Sequence, residues 1–305
     1  MVTPDPRPWI ETLTQVGGWE MAHRGPLDTA LNTLWSLPPQ ARTEQILMRN
    51  IGVRTGYIRL VRAVGVDQDL MRPDDQPWEA GGVQALDLRV VDLDSTMTAL
   101  HARGWRAPSE PVRYKAYGVE VIQWAPSSPD GVRLSFIQRI APPLQGWPEL
   151  KHWGRASNAA VTVSDMAASR RFFGDILGMA KGSATNTVGG DGPNVIGLPW
   201  DYARRAPVDI QGWSGGGGGD GSIELISMPG LLGRSHASRA HPPNFGIAAL
   251  RIFSADALAL AGRLKAAGAV VTPVIDDRVP PLGPCRVFAV TGPDAVRLEV
   301  VQPLA

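Results

Sequence analysis

The sequence predicts an α+β fold built from tandem β-α-β-β-β units, and three observations carry that prediction. Residues 82–138 align without a gap on residues 246–302 at an offset of 164. The heptapeptide VRLSFIQ (132–138) returns as VRLEVVQ (296–302), with Ser135 where the second copy has Glu299. At an offset of 165, GYIRLVR (56–62) lies on GSIELIS (221–227), which sets Arg59 against Glu224. Self-similarity of this length marks a repeated supersecondary unit.

Each element of the unit has a local signature. VQALDLRVVD (83–92) and IAALRIFSAD (247–256) alternate between apolar and polar residues, as half-buried strands do. DLDSTMTALHARG (92–104) and DALALAGRLKAAG (256–268) have helical spacing, with Asp at the start and Gly just past the end. Two further strands follow, then a Pro-Asp turn at 129–130 or 293–294, then the closing strand. NAAVTVSDMAASRRFFGDILGM (158–179) repeats strand, Asp, helix and Gly a third time. In the first unit, PRPWIETLTQVGGWEM (6–21) reads as the helix, while the position of an opening strand would fall before Met1. Four units are expected at roughly 1–65, 80–140, 155–230 and 244–303. The Pro-rich join APPLQGWPELKHW (141–153) is expected to separate an N-terminal pair (1–140) from a C-terminal pair (154–305).

Composition narrows the function classes. Thirty Lys and Arg against 29 Asp and Glu give a net charge of +1, so no electrostatic drive toward nucleic acid or an anionic membrane exists. The start lacks the basic-then-apolar run of a signal peptide, and no apolar stretch is long enough to span a bilayer. The single cysteine, Cys285, excludes an internal disulfide and a Cys-based zinc cluster. A cytoplasmic protein with a small-molecule ligand is expected. Ten tryptophans supply flat apolar surface for a core or a pocket. No G-x-G-x-x-G opens a helix after a strand, and GWSGG (212–216) continues into glycine rather than into a helix, so neither a nucleotide site nor a nucleophile elbow is expected.

The segment 158–179 and the closing GPDAVRLEVVQP (292–303) resemble the opening and last strands of the vicinal oxygen chelate superfamily, which includes glyoxalase I, bleomycin-resistance proteins and type I extradiol dioxygenases. The resemblance implies modules paired into cup-shaped sheets around a ligand, and homodimers are common among such proteins. It also implies metal ligands on the first and last strands of paired modules. Here the first-strand positions are Ala85, Asn158 and Ala249, and the last-strand positions are Arg59, Ser135, Glu224 and Glu299. The N-terminal half therefore lacks a chelating set. The C-terminal half lacks the two imidazoles that hold Fe(II) in a ring-cleaving dioxygenase.

Two carboxylates in one apolar cup would raise each other's pKa toward useful acid–base values. The leading expectation is thus a metal-independent lyase or isomerase acting on a hydrophobic, aromatic molecule, with Glu299 as base, Glu224 as its partner and Asn158 as a polar anchor. No cofactor is expected. One alternative is a non-catalytic sequestering protein of the bleomycin-resistance kind. The other is a divalent-metal enzyme using the oxygen set Asn158, Glu224 and Glu299. GLPWDYARRAPVDIQGW (197–213) is expected to form a wall of that cup, placing Trp200, Tyr202, Arg204 and Trp213 against substrate. His152, in the join, and His236 and His241, in the loop between units three and four, are expected near its mouth.

Overall fold

The computed structural model describes all residues except 75, 189–193, 206, 216–220, 232 and 305, so most of the glycine run after Ser214 lies outside the described residues. The four predicted modules are present. Module one contains α1 (Arg7–Glu11), which runs on into a wider π turn at Thr12–Val16, then β1 (Trp19–Gly25), α2 (Thr29–Leu34), β2 (Arg42–Asn50) and β3 (Ile58–Val64). Module two contains β4 (Ala85–Val90), α3 (Leu93–His101), β5 (Val112–Ala116), β6 (Val119–Trp124) and β7 (Arg133–Ala141). Module three contains β8 (Trp153–Thr162), α4 (Met166–Arg170) with a π turn at Arg171–Ile176, β9 (Ala180–Val188), α5 (Trp200–Ala203), β10 (Pro207–Ser214) and β11 (Ser222–Ser227). Module four contains β12 (Leu250–Phe253), α6 (Ala257–Ala266), β13 (Val270–Val271), β14 (Ile275–Val279), β15 (Gly283–Thr291) and β16 (Arg297–Pro303).

The repeated Asp starts the helix in the same way each time. Asp92, Asp165 and Asp256 accept the backbone N–H of Ser95, Ala168 and Ala259 at 3.0, 3.0 and 2.9 Å, satisfying a donor that the first helical turn leaves free. Gly104, Gly178 and Gly268 follow the helices with φ between 81° and 82°, a conformation that a side chain disfavours and that turns the chain out of the helix.

Within a module the closing strand lies parallel to the opening one, as in β4–β7, β8–β11 and β12–β16. Between modules, β4 pairs antiparallel with β8, with Asp87 opposite Asn158. Modules two and three consequently share one eight-stranded sheet, in the order β5-β6-β7-β4-β8-β11-β10-β9. This corrects the expected division into pairs 1–140 and 154–305. The Pro-rich join turns the chain back so that the strand after it lies beside module two's own opening strand. Similarity at a fixed offset reveals related modules but not which of them pair.

Modules one and four form the other pair. Val2 bridges the three-stranded sheet β1-β2-β3 to module four, pairing parallel with Val61 and antiparallel with Gly246. Residues 1–3 thus occupy the place of the opening strand that the repeat could not locate. Asn50 ties the pairs together by donating its Nδ2–H to the Trp153 carbonyl at 2.8 Å. No described helix is long and apolar enough to cross a membrane.

The cup of modules one and four is filled by its own chain. Leu27, Ala30, Leu31, Leu34 and Trp35, on and around α2, are buried against Val61, Val287, Ala289 and Val301 of the strands, with Cys285 enclosed among them. Leu31→Ala is expected to destabilise the protein by about 2–5 kcal/mol through the void it leaves. Denaturant unfolding checks this.

Candidate active site

The cup of modules two and three encloses a cavity of about 750 Å³. That volume lies in the range of small-molecule sites. Alternation along β4 aims Ala85, Asp87 and Arg89 into it, and the neighbouring strands contribute Ser135, Asn158 and Glu224. One end is closed by α5 and its approach, where Leu198 and Ala203 are buried with Ala85, Ala160 and Ile226.

A chain of polar groups converges on Asp87. The Tyr114 hydroxyl donates to Gln123 Oε1, Gln123 Nε2 donates to Ser135 Oγ at 2.6 Å, and Ser135 in turn hydrogen-bonds Asp87. From the other side Asn158 Nδ2 donates to Asp87 Oδ2 at 2.8 Å, while Asn158 Oδ1 accepts from the Ser222 hydroxyl at 2.7 Å. Glu224 stands across β8 from Ala85, one inward-facing position along from Asp87, and has no hydrogen-bond partner among the described residues. Burial pushes both carboxyls up. For Glu224, burial and then the charge of Asp87, partly offset by Arg89, raise the pKa to about 8. The two donors aimed at Asp87 favour its ionised form, whereas Glu224 has none and its raised pKa favours the protonated form at neutral pH.

Glu299 lies elsewhere. It is 1% exposed inside the filled cup, where Arg59 Nη2 reaches Glu299 Oε2 at 2.6 Å and Arg251 Nη2 at 3.1 Å, and Trp35 donates to Oε1 at 2.9 Å. Burial alone would raise its pKa, but the charges of Arg59 and Arg251 and these hydrogen bonds bring it down to about 2. The expectation that Glu224 and Glu299 share a cup is therefore corrected. Glu299 is a structural counter-ion, and Asn158, Glu224 and Glu299 do not meet as one metal set.

The superfamily's four ligand positions in the open cup are Ala85, Ser135, Asn158 and Glu224, and they do not fit a chelated divalent ion. Ala85 has no donor, Ser135 accepts from Gln123, and the Asn158 amide oxygen is taken by Ser222. Elsewhere, Asp74, Glu79 and His236 place ligand atoms within 4.8 Å of one another. There Arg234 bridges Asp74 and Glu79, and His236 Nε2 lies 2.7 Å from Glu79 Oε2. The carboxylates are already compensated, and the cluster clamps the loop before β4 to the loop after β11.

Other expected site residues are also displaced. Pro199 caps α5, on which Trp200 and Tyr202 are exposed at 55% and 51%, with Tyr202 tilted on Trp78. Arg204 is exposed beside Asp201. Trp213 borders the cavity, but its ring packs over Gly174 on the helix side, where an added Cβ would come within 2.6 Å of it. His152 is exposed beside Gly18, His236 is held by Glu79, and His241 lies 2.9 Å from the Pro242 carbonyl; none lines the cavity. Of the cavity's lining residues, the sequence reading named Asn158, Glu224 and Trp213 but not Asp87 or Arg89. The available signal was the repeat itself, which sets Asp87 on Arg251 and reverses the charge.

The two glutamates should respond oppositely to pH. The pKa of Glu299 is lower in the folded chain than in the unfolded one, so its stabilisation is full above the ordinary carboxylate value and is lost as pH falls toward about 2. Glu299→Gln should cost about 3–5 kcal/mol at neutral pH by stranding two buried guanidinium groups. The raised pKa of Glu224 makes its contribution increasingly unfavourable as pH climbs from the ordinary value to about 8. Glu224→Gln should therefore melt progressively higher than wild type over that interval. Melting temperature against pH for the three proteins checks both.

Residues 155–300 match the family model described as Glyoxalase/Bleomycin resistance protein/Dioxygenase superfamily. Comparison with curated proteins gives no match. Among solved structures, glyoxalase I from Zea mays superposes with a TM-score of 0.63 at 16% identity, over 99% of this chain and 90% of that one. A proposed dioxygenase from Bacillus subtilis superposes with a TM-score of 0.60 at 14% identity, over 100% of this chain and 83% of that one. These likenesses establish architecture and leave the chemistry to the residues in the cup. Residues 155–300 belong to the Glyoxalase/Bleomycin resistance protein/Dioxygenase superfamily, and the chain as a whole carries its tandem vicinal oxygen chelate fold.

Proposed function

We propose that the chain is an enzyme of lyase or isomerase type that moves protons on a hydrophobic, aromatic small molecule in the open cup, without a bound metal. The observation that carries this reading is the placement of Asp87 and Glu224 in one cavity with different hydrogen-bonding environments. A base and an acid are thereby available at the same pH, on the two strands that flank β8. In the simplest step, the Asp87 carboxylate takes a proton from a carbon next to a substrate carbonyl. The C–H electron pair becomes the new C=C bond as the carbonyl π pair moves to oxygen and takes the Glu224 proton, giving an enol. Return of a proton to a different atom completes an isomerisation, and departure of a β-substituent completes an elimination. The donor set argues against metal assistance, because Ala85 offers no donor and the Ser135 hydroxyl and Asn158 amide oxygen already accept hydrogen bonds from Gln123 and Ser222.

Proton abstraction is common to both outcomes and can be followed directly, whatever the product. Aryl-substituted ketones and 2-oxo acids are incubated with the protein in deuterated buffer, and exchange at the carbon beside the carbonyl is followed by NMR. Catalysed exchange is expected for at least one compound, with a loss of about 100-fold or more in Asp87→Asn. Glu224→Gln should slow exchange and abolish its decline above pH 8. Binding without exchange in any of the compounds would favour the sequestering alternative.

A further inference from the structure

The cup has a second functional end. Arg89 lies two residues beyond Asp87 on β4, so both face the cavity, away from the end that α5 closes. Arg89 stands opposite Ile137 of β7, another lining residue, and Arg139 is the next residue on that face. Arg89 makes no hydrogen bond or ion pair among the described residues, and the Arg139 Nε is buried without a hydrogen-bond partner. The Tyr114 hydroxyl beside them is committed to Gln123. Two half-buried guanidinium groups on adjacent strands repel each other and lack a nearby bonded carboxylate, an arrangement that an oxyanion would relieve. Tyr117 and Trp147 border the same cavity and supply flat apolar surface for an attached ring.

From this geometry we infer that Arg89 and Arg139 form an anion subsite, and that the molecule taken by the cup is an aromatic compound carrying a carboxylate or phenolate. The inference rests on the open cup being the ligand site proposed above. The anionic group docks on the guanidinium pair, and the rest of the molecule then extends along β4 toward Asp87 and Glu224. The fork of Arg89 fixes direction as well as affinity.

Matched probes separate the contributions. Phenylpyruvate and cinnamate are compared with their methyl esters, and 4-nitrophenolate with 4-nitroanisole, by calorimetric or ligand-observed NMR titration. In the native protein at least one anion should bind about tenfold or more tighter than its neutral partner, and which pair shows the gap distinguishes carboxylate from phenolate. Arg89→Gln and Arg139→Gln should each remove most of that gap while leaving affinity for the neutral compound unchanged. Arg89→Lys, which keeps the charge but not the fork, should retain part of it, and circular dichroism confirms that each variant is folded. Equal affinity for acid and ester, an equal loss of both in the Gln variants, or no anion binding at several millimolar overturns the subsite. The catalytic reading fails separately: anion preference without deuterium exchange removes the enzyme and keeps the subsite, whereas exchange confined to neutral compounds does the reverse.

Discussion

The antiparallel pairing of β4 with β8 decides which side chains meet. With Asp87 opposite Asn158, every second residue of both strands faces the same hollow, and the closing strands β7 and β11 extend that face to Ser135 and Glu224. A slip of one residue would turn Asp87 and Arg89 into the apolar layer under the helices and bring Leu86 and Leu88 into the cup. That layer is dense with Leu88, Phe136, Trp153 and Phe173, each essentially inaccessible, so the register is enforced by burial over many residues. The polar site costs stability locally and is held in place by the apolar face of the same strands.

The same three strand positions carry opposite charge patterns in the two cups. In the filled cup they are Arg251, Glu299 and Arg59, an acid between two bases that compensate it almost without water. In the open cup they are Asp87, Ser135 and Glu224, two acids on either side of β8 with a hydroxyl on the strand beyond Asp87. The first set is electrically closed. The second is poised, because at most one of its carboxyls ionises easily and the nearest cation, Arg89, is not bonded to either. The loss of the carboxylate at Ser135 relative to Glu299 is thus part of a wholesale reversal.

The modules, their helix starts and their closing strands were legible because each is encoded by neighbours in the chain: Asp92, Asp165 and Asp256 by capping, Gly104, Gly178 and Gly268 by φ. The placement of Glu224 and Asn158 in the cup followed from the superfamily resemblance, which assigns inward-facing groups to those positions of the first and last strands. The partnership of Glu299 was not legible, since it depends on which modules pair, and the repeat is equally compatible with either arrangement. Asp87 was hidden because its meaning comes from Asn158, 71 residues away. Trp200 and Tyr202 have the composition of pocket residues, but they lie on the short helix that starts after Pro199, where both are exposed. Composition identifies an aromatic side chain but says nothing about the direction in which it points.

A duplicated fold of this kind offers two hollows, and α2 changes their number in practice. By lodging Leu31, Leu34 and Trp35 in one of them, the chain leaves a twofold-repeated scaffold with a single candidate hollow for the ligand proposed above. Saturation should therefore occur at one molecule per polypeptide, with no second equivalent to compete for or cooperate with the first.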